Sequence, residues 1–113
     1  MSDLTQMKCV ACRGGIPPMT RAEMEEYLPQ VQDWSVITED GIDRLERVFT
    51  FPDFVQALGF ANRVGQAAEE EGHHPAILVE WGRATVRWWT HKIRGLHAND
   101  FIMAAKTDRL LQV

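Results

Sequence analysis

From Pro52 to Gly72 the chain reads PDFVQALGFANRVGQAAEEEG, and its apolar residues recur at the three-four spacing of a helix with one buried stripe: Phe54, Ala57, Leu58, Ala61, Val64, Gly65 and Ala68. Pro52 suits the first turn of such a helix and Gly72 the position just past its last. Small residues dominate the stripe, so the face is narrow and fit to lie on a sheet. On both sides of this helix the apolar period changes to two. DWSVITEDGIDRLERVFTF alternates at Trp34-Val36 and at Leu45, Phe49 and Phe51, with Asp40-Gly41 as a hairpin turn between them. AILVEW and ATVRWWTH flank Gly82-Arg83 as a second hairpin. Ala84, Val86 and Trp88 then share one face, and Thr85, Arg87, Trp89 and His91 the other.

Two shorter helices complete the pattern. Thr20 and Glu23 have capping-box spacing ahead of Met24, Leu28 and Val31, with Pro29 weakening the last turn, and Asn99 or Asp100 is placed to cap FIMAAKTDRLL. The order is helix, hairpin, helix, hairpin, helix. This predicts an α+β fold in which the hairpins join into a four-stranded antiparallel sheet with three helices packed on one face. The other face and the sheet edges stay free, and the second hairpin carries Trp81, Trp88 and Trp89, so a homo-oligomer is expected. Trp34 and Trp88 read as core, and Trp81 and Trp89 as interface or ligand-stacking residues.

A chain of 113 residues with 45% hydrophobic content buries one core. Residues 1–19, with Gly14-Gly15 and Pro17-Pro18, read as an irregular N-terminal extension, and 20–113 as the domain. The sequence has no apolar run near the roughly 20 residues of a membrane span and no signal-peptide layout, so a cytoplasmic protein is expected. A formal charge of -4 without a basic cluster argues against nucleic acid as a partner and leaves small molecules and proteins. Cys9 and Cys12 form a lone CxxC, half of a zinc site, and read as reduced thiols.

The chemistry gathers around EEEGHHPAILVEW, Glu69 to Trp81. Three carboxylates close the long helix where its dipole is already negative, which costs stability unless something offsets it. His73 and His74 follow at once, and Pro75 keeps His74 extended so that the helix cannot continue through it. His91 ends the hairpin that begins there, and folding brings those two ends together. Imidazoles beside a carboxylate supply both a proton donor and a proton acceptor at neutral pH, and Glu69, one turn before His73, is placed to hold a ring. Three histidines also suit catalytic zinc, but adjacent residues rarely point both rings at one ion, so acid/base chemistry is the favoured reading.

Glu69, His73-His74-Pro75, Trp81, His91 and Asp100, together with THKIRGL followed by ND, resemble the signature of the pterin-4a-carbinolamine dehydratase family. The likeness runs from about Thr20 to Leu111. KCVACRGGIPP resembles the extension of bacterial members that accompany phenylalanine hydroxylase. The resemblance implies an α-β-β-α-β-β-α fold, a homodimer or homotetramer, and a reaction needing no metal and no bound cofactor. That reaction converts 4a-hydroxytetrahydrobiopterin to quinonoid dihydropterin and water. It implies His73, His74 and His91 as the catalytic groups, His74 foremost, and Glu69, Pro75, Trp81, Thr90 and Asp100 as substrate-binding residues. Two positions depart from some animal relatives: Gly72 stands where they have aspartate, and Asn99 where they have arginine. The family also includes partners of a homeodomain transcription factor, which bind through a helix surface, and bacterial relatives serving molybdenum-cofactor metabolism through the same pocket.

Overall fold

The structure, a computed structural model, describes residues 4–6 and 16–112; Cys9 and Cys12 lie outside the described residues. Helix α1 spans Arg21–Tyr27, and Thr20 and Glu23 form the expected box: the Glu23 N–H donates to Thr20 Oγ1 at 3.3 Å and the Thr20 N–H to Glu23 Oε1 at 2.9 Å. The Thr20 contacts hold the Glu23 carboxyl below its usual range. Pro29 turns the chain through a short 3-10 segment, Leu28–Gln30, into β1, Ser35–Glu39. Strand β2, Ile42–Thr50, returns through Asp40 and Gly41, whose φ angles of 54° and 74° are those of a hairpin turn twisted to suit its strands.

Helix α2, Phe54–Glu71, is capped by Asp53, whose Oδ1 accepts from the Gln56 N–H at 2.8 Å. It leads to β3, Ala76–Glu80, and β4, Arg83–Trp88; a 3-10 turn, His91–Ile93, and helix α3, Ala98–Arg109, follow. The sheet order is β1-β2-β4-β3, antiparallel throughout, so the hairpins meet where Leu45 pairs with Trp88 and Phe49 with Ala84. Leu45, Phe49, Ala84, Val86 and Trp88 face the helices and are buried against Phe60, Phe101 and Met103. The sheet with three helices on one side is the predicted α+β architecture.

Three details differ from the sequence reading. The buried stripe of α2 is turned toward Phe60, which is fully buried, while Phe54 and Leu58 are 43% and 41% exposed. At about 100° per residue, Ala57, Phe60, Ala61, Val64 and Ala68 share the face the sheet covers, and Phe54 and Leu58 fall on its flank. Strand β4 ends at Trp88, so His91 sits in the turn beyond it. Helix α3 starts before Asn99, with His97 as its cap: His97 Nδ1 accepts from the Asn99 N–H at 3.1 Å. The described part of the lead-in is also less irregular than its composition suggests. Leu4–Gln6 forms a 3-10 turn, Leu4 is buried in the core, and the Arg109 guanidinium donates to Thr5 Oγ1 at 2.9 Å.

Candidate active site

The end of α2 explains how two adjacent histidines part. Gly72, at φ 65°, closes the helix with its own N–H donating to Glu69 O at 3.2 Å and the His73 N–H to Ala68 O at 3.1 Å. This paired closure needs a left-handed residue, which glycine supplies without a Cβ penalty. It pins the His73 backbone under the helix, so the ring turns inward while His74, ahead of Pro75, turns out. His73 stacks on Trp88 with centroids 5.6 Å apart and planes 9° from parallel, and its Nε2 lies 2.6 Å from Asp100 Oδ1. His74 Nε2 lies 2.6 Å from Glu69 Oε1 at the surface. Glu69 therefore holds His74, while Asp100 holds His73.

Asp100 is fully buried and fully engaged. Besides His73, its Oδ2 accepts from Thr90 Oγ1 at 2.8 Å and from the His97 N–H at 2.9 Å. A carboxylate only accepts, so His73 donates to it from Nε2 and leaves Nδ1 as the ring's free acceptor in the neutral form. The Glu69 contact orients His74 in the same sense. Thr90 brings in the third histidine: its hydroxyl is tied to Asp100, and His91 is the next residue. The Thr90–Gly95 loop is closed by the Thr90 N–H to Gly95 O at 2.9 Å and the Gly95 N–H to Thr90 O at 3.4 Å. The lead-in clamps this loop, with the Met19 N–H donating to Leu96 O at 2.9 Å. Pro18 lies so close over Gly95 that a Cβ there would stand 2.6 Å from Pro18 Cβ.

The structure thus joins His73, Asp100 and Thr90 in one hydrogen-bonded cluster and pairs His74 with Glu69, while His91, the residue after Thr90, lays its ring against Trp89. It does not bring in Trp81, which is 73% exposed in the β3–β4 turn, at the far end of the hairpin from Pro75 and Thr90. Sequence reasoning missed His97, whose backbone serves Asp100. A residue preceding a hydrophobic helix and three positions ahead of an aspartate was the available signal, but histidine is not among the favoured caps. Among the described residues no three metal-ligating side chains gather closely enough to hold an ion. A cleft of about 290 Å³ beside α1 is walled by Tyr27, Leu96 and His97 and by none of the predicted site residues.

Two of the three carboxylates ending α2 find their offsets here: Glu69 meets His74, and Glu71 approaches Lys106 Nζ at 3.9 Å. Both are at least partly solvated contacts, of the kind worth about 0–1 kcal/mol.

A sheet with helices on one face, carrying a carboxylate-held histidine pair at its helix-to-strand junction, defines a small α+β protein with a histidine–carboxylate cluster at one end of its sheet. Residues 17–110 match the family model for pterin 4 alpha carbinolamine dehydratase, and the chain belongs to that family of hydro-lyases. A protein of Marinobacter nauticus, provisionally named a pterin-4-alpha-carbinolamine dehydratase, is 61% identical over 110 residues, covering 97% of this chain and 99% of its own. One of Nitrosococcus oceani with the same provisional name is 58% identical over 112 residues, 99% of each chain. A crystal structure from Brucella melitensis, titled transcriptional coactivator/pterin dehydratase, superposes with a TM-score of 0.73 at 32% identity over 82% of this chain and 97% of that one. No helix among the described residues is long and apolar enough to cross a membrane.

Proposed function

We propose that this protein converts 4a-hydroxytetrahydrobiopterin to quinonoid dihydropterin and water by acid/base chemistry at His73, His74 and His91, without a metal or bound cofactor. Its role is to recycle, in the cytoplasm, the pterin of an aromatic amino acid hydroxylase such as phenylalanine hydroxylase. The reaction breaks the C4a–O bond: one proton goes to the departing hydroxyl, which leaves as water, and one is taken from the pterin ring. No net proton is consumed, so groups that both give and take suffice. The observation that carries the reading is the His73–Asp100 contact, because a fully buried carboxylate held by three donors fixes which nitrogen of His73 is free to accept. His74 is the exposed partner, placed to reach substrate and solvent, and is the foremost acid/base group. Residues 20–113 form the catalytic domain, with Glu69, Pro75, Thr90 and Asp100 shaping the site, whereas Trp81 stands at the far end of the β3–β4 hairpin.

The test follows the disappearance of 4a-hydroxytetrahydropterin by absorbance against its spontaneous decay. His74→Ala is expected to lose about 10²–10⁴-fold of the acceleration while its melting temperature holds. Wild-type acceleration in the folded variant contradicts the assignment.

A second reading, protein binding, draws on the exposed apolar flank of α2, Phe54, Val55 and Leu58, and on the coactivator title of the Brucella structure. The same flank is added to the free sheet face and edges as a surface through which the homo-oligomer can form. Val55→Glu should reduce the mass measured by light scattering; an unchanged mass removes α2 from the interface.

A further inference from the structure

His73 and His74 are each held by a carboxylate, whereas His91 has a different holder. It is an exposed side chain at the head of the 3-10 turn His91–Ile93, and among the described residues no hydrogen bond reaches its ring. What touches it is Trp89, centroid to centroid 4.5 Å with the planes 39° apart. Trp89 is itself held: the Arg44 guanidinium carbon stands 4.3 Å from the centre of its ring. The register explains the meeting. Leu45 pairs with Trp88, so carrying the β2–β4 ladder one step further sets Arg44 opposite Trp89, on the free face of the sheet. Trp88, one residue back, points through the sheet and stacks on His73. The Trp88-Trp89 pair therefore serves two histidines from opposite faces.

Arg44 is not at this place because hydrogen bonds require it. Its Nη2 donates to Glu39 O at 3.4 Å, its Nη1 stands 3.9 Å from Glu39 Oε1, and its Nε is buried without a hydrogen-bond partner. A guanidinium lying on the face of an indole is attracted to it and stabilises the indole's position.

We propose that Trp89 is a positioning residue for His91, fixing the plane of its imidazole toward the pterin, with Arg44 fixing the indole. This rests on the acid/base reading of His91 given above. An aromatic holder does something a carboxylate cannot: it restrains the ring without occupying either nitrogen, so both stay available to substrate and water. Without it, an exposed histidine samples several rotamers, and a displacement of about 1 Å in a catalytic group can cost roughly 10²-fold.

The test measures kcat and KM for Trp89→Phe, Trp89→Leu, Arg44→Met and His91→Ala, together with the proton shifts of the His91 ring. In the wild-type enzyme those ring protons are expected to be displaced by the indole ring current, and in Trp89→Leu to return to ordinary values. Trp89→Phe, which keeps a ring, should stay within about threefold of wild-type kcat. Trp89→Leu should lose about 10–100-fold in kcat with KM within about twofold, and Arg44→Met should fall between. Equal loss in Trp89→Phe and Trp89→Leu overturns the proposal, as does wild-type kcat in a folded Trp89→Leu. His91→Ala separates the two readings: slow with Trp89→Leu fast overturns this proposal alone, while wild-type rate in His91→Ala overturns the catalytic role of His91 and this proposal with it. Should Trp89→Leu fail to fold, an absent ring-current displacement in the wild-type enzyme is decisive against it.

Discussion

Asp100 takes three donors on two oxygens with no exposure, and that satisfaction makes a buried carboxylate tolerable. Asn at this position keeps the shape but exchanges one acceptor for a donor. Thr90 and the His97 N–H both need the acceptor, so the new NH₂ group faces His73, and the ring must flip tautomer to receive it. Asp100→Asn should therefore melt close to wild type, show His73 protonated on Nδ1 by nitrogen NMR, and lose about 10²-fold or more in rate. An unchanged rate with a flipped tautomer removes His73 from proton transfer. Asp100 and the histidines were legible in the sequence because their spacing is a motif. Asp100's task was not, since the partner of His73 lies 27 positions away and only the fold brings it there.

Among the helices and strands, local signals reported faithfully where the physics is local. The Thr20 box, the Asp40-Gly41 turn and the Gly72 terminus depend on hydrogen bonds within a few residues, and all three stand in the structure. Relations across elements were harder to read. The turning of α2 toward Phe60 depends on which side of the stripe the sheet covers, and the meeting of Arg44 with Trp89 on a ladder that pairs different hairpins. The α2 cap offers a clean measurement: Asp53→Ala removes the acceptor for the Gln56 N–H and should cost about 1 kcal/mol in urea denaturation, leaving kcat unchanged because the site lies at the other end of the helix. A loss of activity at full stability would show that the two ends of α2 are coupled.

Across the molecule, α3 is tied to the first hairpin through Asp108, whose Oδ1 accepts from Trp34 Nε1 at 2.8 Å and from Arg47 Nη1 at 2.7 Å. Burial pushes the Asp108 carboxyl above its ordinary value of 3.8, against the lowering effect of the Trp34 and Arg47 contacts. A carboxyl raised in the folded state contributes stability that is present below its unfolded value and lost as pH rises through the folded one. Wild type should therefore gain stability relative to Asp108→Asn as pH falls from 7 toward 4, read from urea midpoints. The opposite slope would mean that the Arg47 and Trp34 contacts outweigh burial.

The central claim is that His73, His74 and His91 act on one pterin ring. The most direct measurement follows the ring protons of all four histidines by NMR while the protein is titrated with 7,8-dihydrobiopterin as a product analogue. His73, His74 and His91 are expected to shift together with a single dissociation constant, while His97, committed to capping α3, shifts least. A ligand that moves His97 and leaves the other three in place would put the pterin in the cleft beside α1 and remove the three histidines from its binding site.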